Sequence, residues 1–314
     1  MKKEVVILLA VIAALAGYLM VGQTGQTHYD IPKLTPLQTT DVDRLEIRKG
    51  DDLLLLEKIE EEWAVDMQGF PGRRKTVEDL VETASKLTLT ELISESGNPI
   101  RYQLGPEQAK TVSLFKGETR LRVFSVGKTA PSNRHTFVML NEKPEVYLAM
   151  GNFSDRFRID PEAFIDKAVL LFKVDTVSGF SIAKGKSTLA AKRVSGPPKE
   201  EGAAASFLWQ NEKGQTLELT KVQTLLATLS SLSCEKWLVQ SEGNATEATD
   251  GVTITIMTDR PTTLTLKADQ TATTNEKPFP FTLSEATQNS LTQSLDALFS
   301  PPETKAQEPK PEGT

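Results

Sequence analysis

The chain has 314 residues, 25% charged and 39% hydrophobic, a globular balance with enough length for two cores of ordinary size. Its formal net charge of −6 excludes the broad basic surface that phosphate neutralisation requires, so no nucleic-acid partner is expected. The single cysteine, Cys234, excludes an internal disulfide, and two distant histidines, His28 and His135, with no CxxC motif leave no zinc pattern.

Lys2 and Lys3 precede an uncharged run from Val5 to Val21. At a helical rise of ~1.5 Å its 17 residues cover roughly 26 Å, the short end of what a bilayer core needs, and Gly22 with its polar neighbours completes the crossing. The lysines lie on one side only, so residues 1–23 are predicted to be a transmembrane anchor with a cytoplasmic N-terminus. The remainder is then periplasmic, held at a bacterial inner membrane by one pass. Ala14-Leu15-Ala16 also fits a signal-peptidase site, but the apolar run continues through Tyr18 to Val21, which favours an uncleaved anchor.

Residues 24–41, with Pro32 and Pro36, read as a linker. A first unit, 42–174, opens with Leu45 and Ile47 alternating with charged residues, a Lys49-Gly50 turn, a return strand over 53–58 and a short strand at Trp63-Ala64-Val65. Val77, Leu80, Val81, Ala84 and Leu87 form one apolar helical stripe, with Thr76 placed to cap. Strands follow at 87–93, 112–114, 121–126, 137–140 and 146–148, with turns at Lys116-Gly117 and at Val126-Gly127-Lys128. Phe153, Phe157, Pro161, Phe164 and Ile165 read as short helical pieces.

A second unit, 175–300, repeats the order. Lys184-Gly185 matches Lys49-Gly50 at an offset of 184 − 49 = 135, Trp209 matches Trp63 at 209 − 63 = 146, and Val222 matches Val77 at 222 − 77 = 145. The polar Ser195 to Gly202 segment supplies the insertion that the change of offset requires. An exit strand from Cys234 to Gln240, strands at 252–257, 263–268 and 279–281, and a last helix capped by Ser284 complete it. Residues 301–314 read as a disordered tail. The expected fold is therefore α+β: two tandem repeated units, each an antiparallel sheet with a packed helix, after one N-terminal transmembrane helix.

Glu57-Lys58, Glu62-Trp63-Ala64-Val65, the Val77 helix, Tyr102-Gln103-Leu104, Val126-Gly127-Lys128, Val146-Tyr147-Leu148, Ile165-Asp166-Lys167 and Leu170-Leu171-Phe172 occur in that order. This resembles the domain-of-unknown-function family numbered forty-three forty. The resemblance implies a membrane-anchored extracytoplasmic protein associated with ABC-2-type transporter or gliding-motility-type auxiliary subunits, with no catalytic residues to carry over. Two positions depart from the family pattern: Gln103 stands where the usual motif is Tyr-Gly-Leu, and Ile165 where it is Arg-Asp-Lys.

No GxSxG, GxGxxG or Walker sequence is present. Cys234 reads as a buried, inert thiol and His135 as a solvated loop residue. Trp63, Trp209 and Trp237 read as core residues rather than sugar-stacking platforms. Asp155, Arg156, Arg158 and Asp160 bracket Phe157, a pattern that suits a solvated face more than a docking patch. The expected function is thus a non-enzymatic accessory protein of an ABC-type transport or envelope complex, without cofactor or metal, acting through protein–protein interaction. The candidate contact residues are Tyr102, Gln103, Leu104, Gly127, Lys128, Arg156 and Arg158. The alternative is an envelope glycan- or lipid-binding module.

Overall fold

The computed structural model describes residues 3–22, 31–95, 98–140, 143–196, 207–239 and 251–300. The expectations for His28, for residues 197–202 of the insertion and for the tail at 301–314 lie outside them. The chain divides into two compact units, Met1–Trp63 with Arg74–Ala163, and Ala64–Arg73 with Phe164–Thr314.

Helix α1 spans Lys3–Gly22. Among the described residues no helix is long and apolar enough to cross a membrane, which corrects the expected transmembrane anchor. Lys3 and Glu4 charge its first turn, which holds the apolar part at the short end of the range a bilayer core accepts.

The second correction concerns fold class. The structure is mostly two large antiparallel sheets with few helices rather than a balanced α+β pair. The first sheet comprises β1 (Arg44–Lys49), β2 (Asp52–Ile59), β3 (Glu62–Val65), β4 (Phe70–Pro71), β5 (Leu89–Ser94), β6 (Lys110–Lys116), β7 (Thr119–Thr129), β8 (His135–Leu140) and β9 (Val146–Met150). Its order is β4-β3-β2-β1-β6-β7-β8-β9-β5.

The alternation in these strands fixes their register. Leu45 faces Leu56 on one side and Leu114 on the other, while Ile47 faces Leu54 and Val112. All six are fully buried, so a one-residue slip would turn this whole band toward water. Helix α2 (Arg74–Ser85) lays Val77, Leu80, Val81 and Ala84 on the same core, next to β6. It begins three residues earlier than its sequence pattern suggests, so Thr76 lies within the first turn and does not cap it. Its C-terminus is closed by Arg122 of β7, whose guanidinium donates to the carbonyls of Ala84 (2.8 Å), Ser85 (2.7 Å) and Thr35. Burial pulls the pKa of this guanidinium down.

The second sheet comprises β10 (Gly179–Lys184), β11 (Ser187–Ser195), β12 (Phe207–Asn211), β13 (Lys236–Trp237), β14 (Gly251–Met257), β15 (Thr262–Lys267), β16 (Thr271–Thr274) and β17 (Phe281–Thr282). Its order is β12-β11-β10-β14-β15-β16-β17-β13. Apart from β4, each sheet follows the same itinerary: three strands outward, a helix, a strand at the far edge, then four strands that fill the gap between. In the second unit that helix is α3 (Leu219–Ser230), and it packs on α4 (Glu285–Phe299). Ser284 caps α4, its Oγ accepting from Thr287 N at 3.3 Å. β16 had no apolar alternation to announce it, being built from three threonines and one alanine.

Residues 64–73 form a hairpin, Val65 opposite Phe70, belonging to the second unit. Gly72 bridges Ile165, Arg73 N donates to Phe164 O (2.7 Å), and the Phe70 ring meets Phe279 edge-on at 5.2 Å.

Candidate functional site

The sequence around Asn98 dictates a tight, non-regular turn. The Asn98 side chain accepts from Ile100 N (3.1 Å), Pro99 opens a 3-10 turn, and Leu104 N closes it on Pro99 O (2.8 Å). Gln103 is forced into the left-handed region, φ 58° and ψ 36°. Leu104 turns inward and packs with Ala109, Ala130, Phe137 and Val146, while the Tyr102 ring lies 4.7 Å from that of Phe137.

This turn rests on Gly127. A Cβ at that position would overlap the Tyr102 carbonyl oxygen and lie 2.8 Å from Leu104 Cγ, closer than real side chains approach. Val126-Gly127-Lys128 is therefore not a turn, as the sequence suggests, but a bulge inside β7: Val126 pairs with Val138 and Thr129 with Thr136, so two residues of β7 oppose one of β8. Glycine is needed there because another stretch of backbone occupies the space.

A second segment reaches the same bulge. Ser154 Oγ, buried, donates to Gly127 O at 2.6 Å, and Ser154 O accepts from Lys110 Nζ at 2.7 Å. Phe153 and Phe157 anchor the segment, the Phe157 ring edge-on to both Phe153 and Phe124 at 5.9 Å. The expected helical pieces are absent from residues 153–160, where only a 3-10 turn at Pro161–Ala163 follows; the aromatic anchors hold an open path instead.

The seven candidate residues thus separate by role. Tyr102, Leu104 and Gly127 meet in one packed joint, with Gln103 exposed on its turn and Lys128 half-buried beside the bulge. Arg156 and Arg158 are exposed on the Ser154 segment; Arg156 Nη1 reaches Thr83 Oγ1 (3.4 Å) and Arg158 Nε donates to Asp155 O (3.3 Å). Lys110, which sequence reasoning passed over, lies half-buried among them. Burial lowers its pKa, Asp155 opposes that shift, and Lys49 and Arg158 add to it.

The nearest hydroxyl–imidazole pair, Ser132 Oγ and His135 Nδ1 at 3.4 Å, lies in the β7–β8 loop, and among the described residues no carboxylate bonds to His135. Among the described residues no group of three or more His, Cys, Asp or Glu could hold a metal ion. A cleft of about 420 Å³ in the first unit carries Glu78, Asp79 and Glu82 of α2, but each pairs with a cation four residues away, Arg74, Lys75 and Lys86 in turn. Trp63, at its base, is buried and offers no open ring face.

Residues 63–253 match the family model described as Domain of unknown function (DUF4340). That is 253 − 63 + 1 = 191 residues, more than half of the 314. The chain belongs to this family. No curated protein and no solved structure matches it. Two motif departures in this DUF4340 chain now have a location. Gln103 occupies a left-handed turn that suits glycine, so Gln103→Gly is expected to raise stability by about 0.5–1 kcal/mol, read as a higher urea midpoint at unchanged slope. Ile165 is buried, and the guanidinium of Arg73 donates to its carbonyl at 3.0 Å. Asp166 beside it accepts through its carbonyl from Trp237 Nε1 (2.8 Å), donates its own N–H to Pro71 O (2.7 Å) and takes Ala168 N on its carboxylate (3.0 Å). The Ile165-Asp166-Lys167 motif is in this chain a structural tie within the second unit.

Proposed function

We propose that this chain is a non-enzymatic, extracytoplasmic accessory protein of an ABC-type transport or envelope complex, acting through protein–protein interaction with ABC-2-type transporter or gliding-motility-type auxiliary subunits. The observation that carries this reading is the Gly127 joint. Two irregular segments are fixed there to one strand by a backbone contact and a buried hydroxyl, while their charged and polar side chains stay in solvent. Such pre-ordered loops lose little conformational freedom when a partner binds, and their arginines are suited to carboxylates. Resemblance of the motif order to proteins encoded beside transporter components supports the choice of partner.

The test is crosslinking and detergent pulldown of the tagged full chain at native expression. Transporter or auxiliary subunits are expected in the eluate. The double substitution Arg156→Glu/Arg158→Glu should lower their recovery at least tenfold without changing the melting curve, because both side chains are exposed. Recovery of no envelope subunit by the unaltered chain refutes the reading.

A further inference from the structure

The second unit contains a cleft of about 370 Å³, within the ~300–1,000 Å³ typical of small-molecule sites, formed by the ends of β14, β15 and β16 on one side and α4 on the other. Its walls are apolar. Half-buried Val252 and Leu266 pair across β14 and β15 and form the open apolar wall, over Leu291 and Leu295 of α4, which are 0% and 3% exposed. Lys184 and Lys267 line the cleft, and among the described residues no Asp or Glu does. The two lysines differ. Lys184 Nζ is engaged by Asp296 at 2.7 Å, whereas Lys267 forms no salt bridge among the described residues. Asp269, two residues on, interacts electrostatically with Lys267 while its Oδ1 accepts from the N–H and hydroxyl of Thr271 at 3.0 and 2.6 Å. A half-exposed ammonium beside a dry wall is complementary to an apolar chain that ends in an anion.

We infer that this cleft binds a fatty carboxylate of medium chain length, with its hydrocarbon along Val252 and Leu266 and its carboxylate at Lys267. The site is separate from the Gly127 joint, and neither requires the other. Hydrocarbon burial supplies affinity, and the lysine selects the head group.

Calorimetric titration of the full chain with dodecanoate, dodecylamine and dodecanol tests this. Dodecanoate is expected to saturate at one equivalent below its micelle concentration, with the amine at least tenfold weaker. Lys267→Glu should weaken dodecanoate at least tenfold and leave dodecanol unchanged. Thr292→Trp, at an exposed α4 position on the cleft, should abolish binding of all three with an unchanged circular dichroism spectrum. Dodecylamine or dodecanol binding as tightly as dodecanoate overturns the inference, as does dodecanoate binding untouched by Lys267→Glu. Self-association of the ligand-free chain that Thr292→Trp removes also overturns it, since a second copy would then fill the cleft.

Discussion

Gly127→Ala is expected to be the most damaging single-methyl change in the first unit. The added carbon has no room, because the atoms in its way are the Tyr102 carbonyl and the Leu104 side chain rather than the free end of a flexible residue. Relief requires the 98–104 turn to lift, which uncovers Leu104 and separates the Tyr102 and Phe137 rings. A cost of about 3 kcal/mol or more follows from overpacking plus lost burial. Gly185→Ala is the control: φ is +57° there and nothing lies near the new carbon, so only the left-handed penalty of roughly 1–2 kcal/mol applies. Urea unfolding of both variants measures the difference, and equal midpoints would refute the close-approach account.

Trp237→Ala is expected to cost the second unit about 3–5 kcal/mol. The indole is 2% exposed, sits edge-on to Phe281 at 5.4 Å and donates to Asp166 O at 2.8 Å. Truncation therefore opens a cavity and leaves a carbonyl without its donor. Trp237→Phe keeps a ring against Phe281 and should cost less, about 1–3 kcal/mol, the range for one orphaned buried acceptor. Thermal unfolding followed by tryptophan-independent far-ultraviolet dichroism separates the two. A sugar-stacking tryptophan would behave oppositely, tolerating alanine in the melt, and Trp63 and Trp209, 4% and 3% exposed, are equally unsuited to that role.

The parts legible in the sequence are those in which one residue's periodicity carries the information. Leu45 and Ile47 announced β1 by alternation, the Lys49-Gly50 turn announced the return strand behind it, and the stripes on α2 and α3 announced their helices. Ser284 marked the start of α4 as a capping residue ahead of an apolar stripe. What stayed hidden depends on partners far along the chain. Gly127 reads as a turn because glycine is common in turns; only the arrival of Tyr102 shows that its missing side chain, not its φ, is what matters. Lys110 lacks any motif, and its setting comes from Ser154 and Asp155 across a sequence gap. The sheet-dominated architecture is hard to weigh from the sequence because a short polar strand such as β16 carries little pattern, whereas each helix is conspicuous.

The second unit's inclusion of Ala64–Arg73 makes it discontinuous in the chain. Ribosomal synthesis delivers that hairpin about a hundred residues before Phe164 and the strands it joins, so the earliest piece of the second unit waits while the intervening residues are made. A cut between Ala163 and Phe164 would therefore not yield two self-sufficient proteins. The C-terminal fragment would lack Pro71 and Arg73, which hold Phe164, Ile165 and Asp166 in place, and could recover them only from the other fragment in trans.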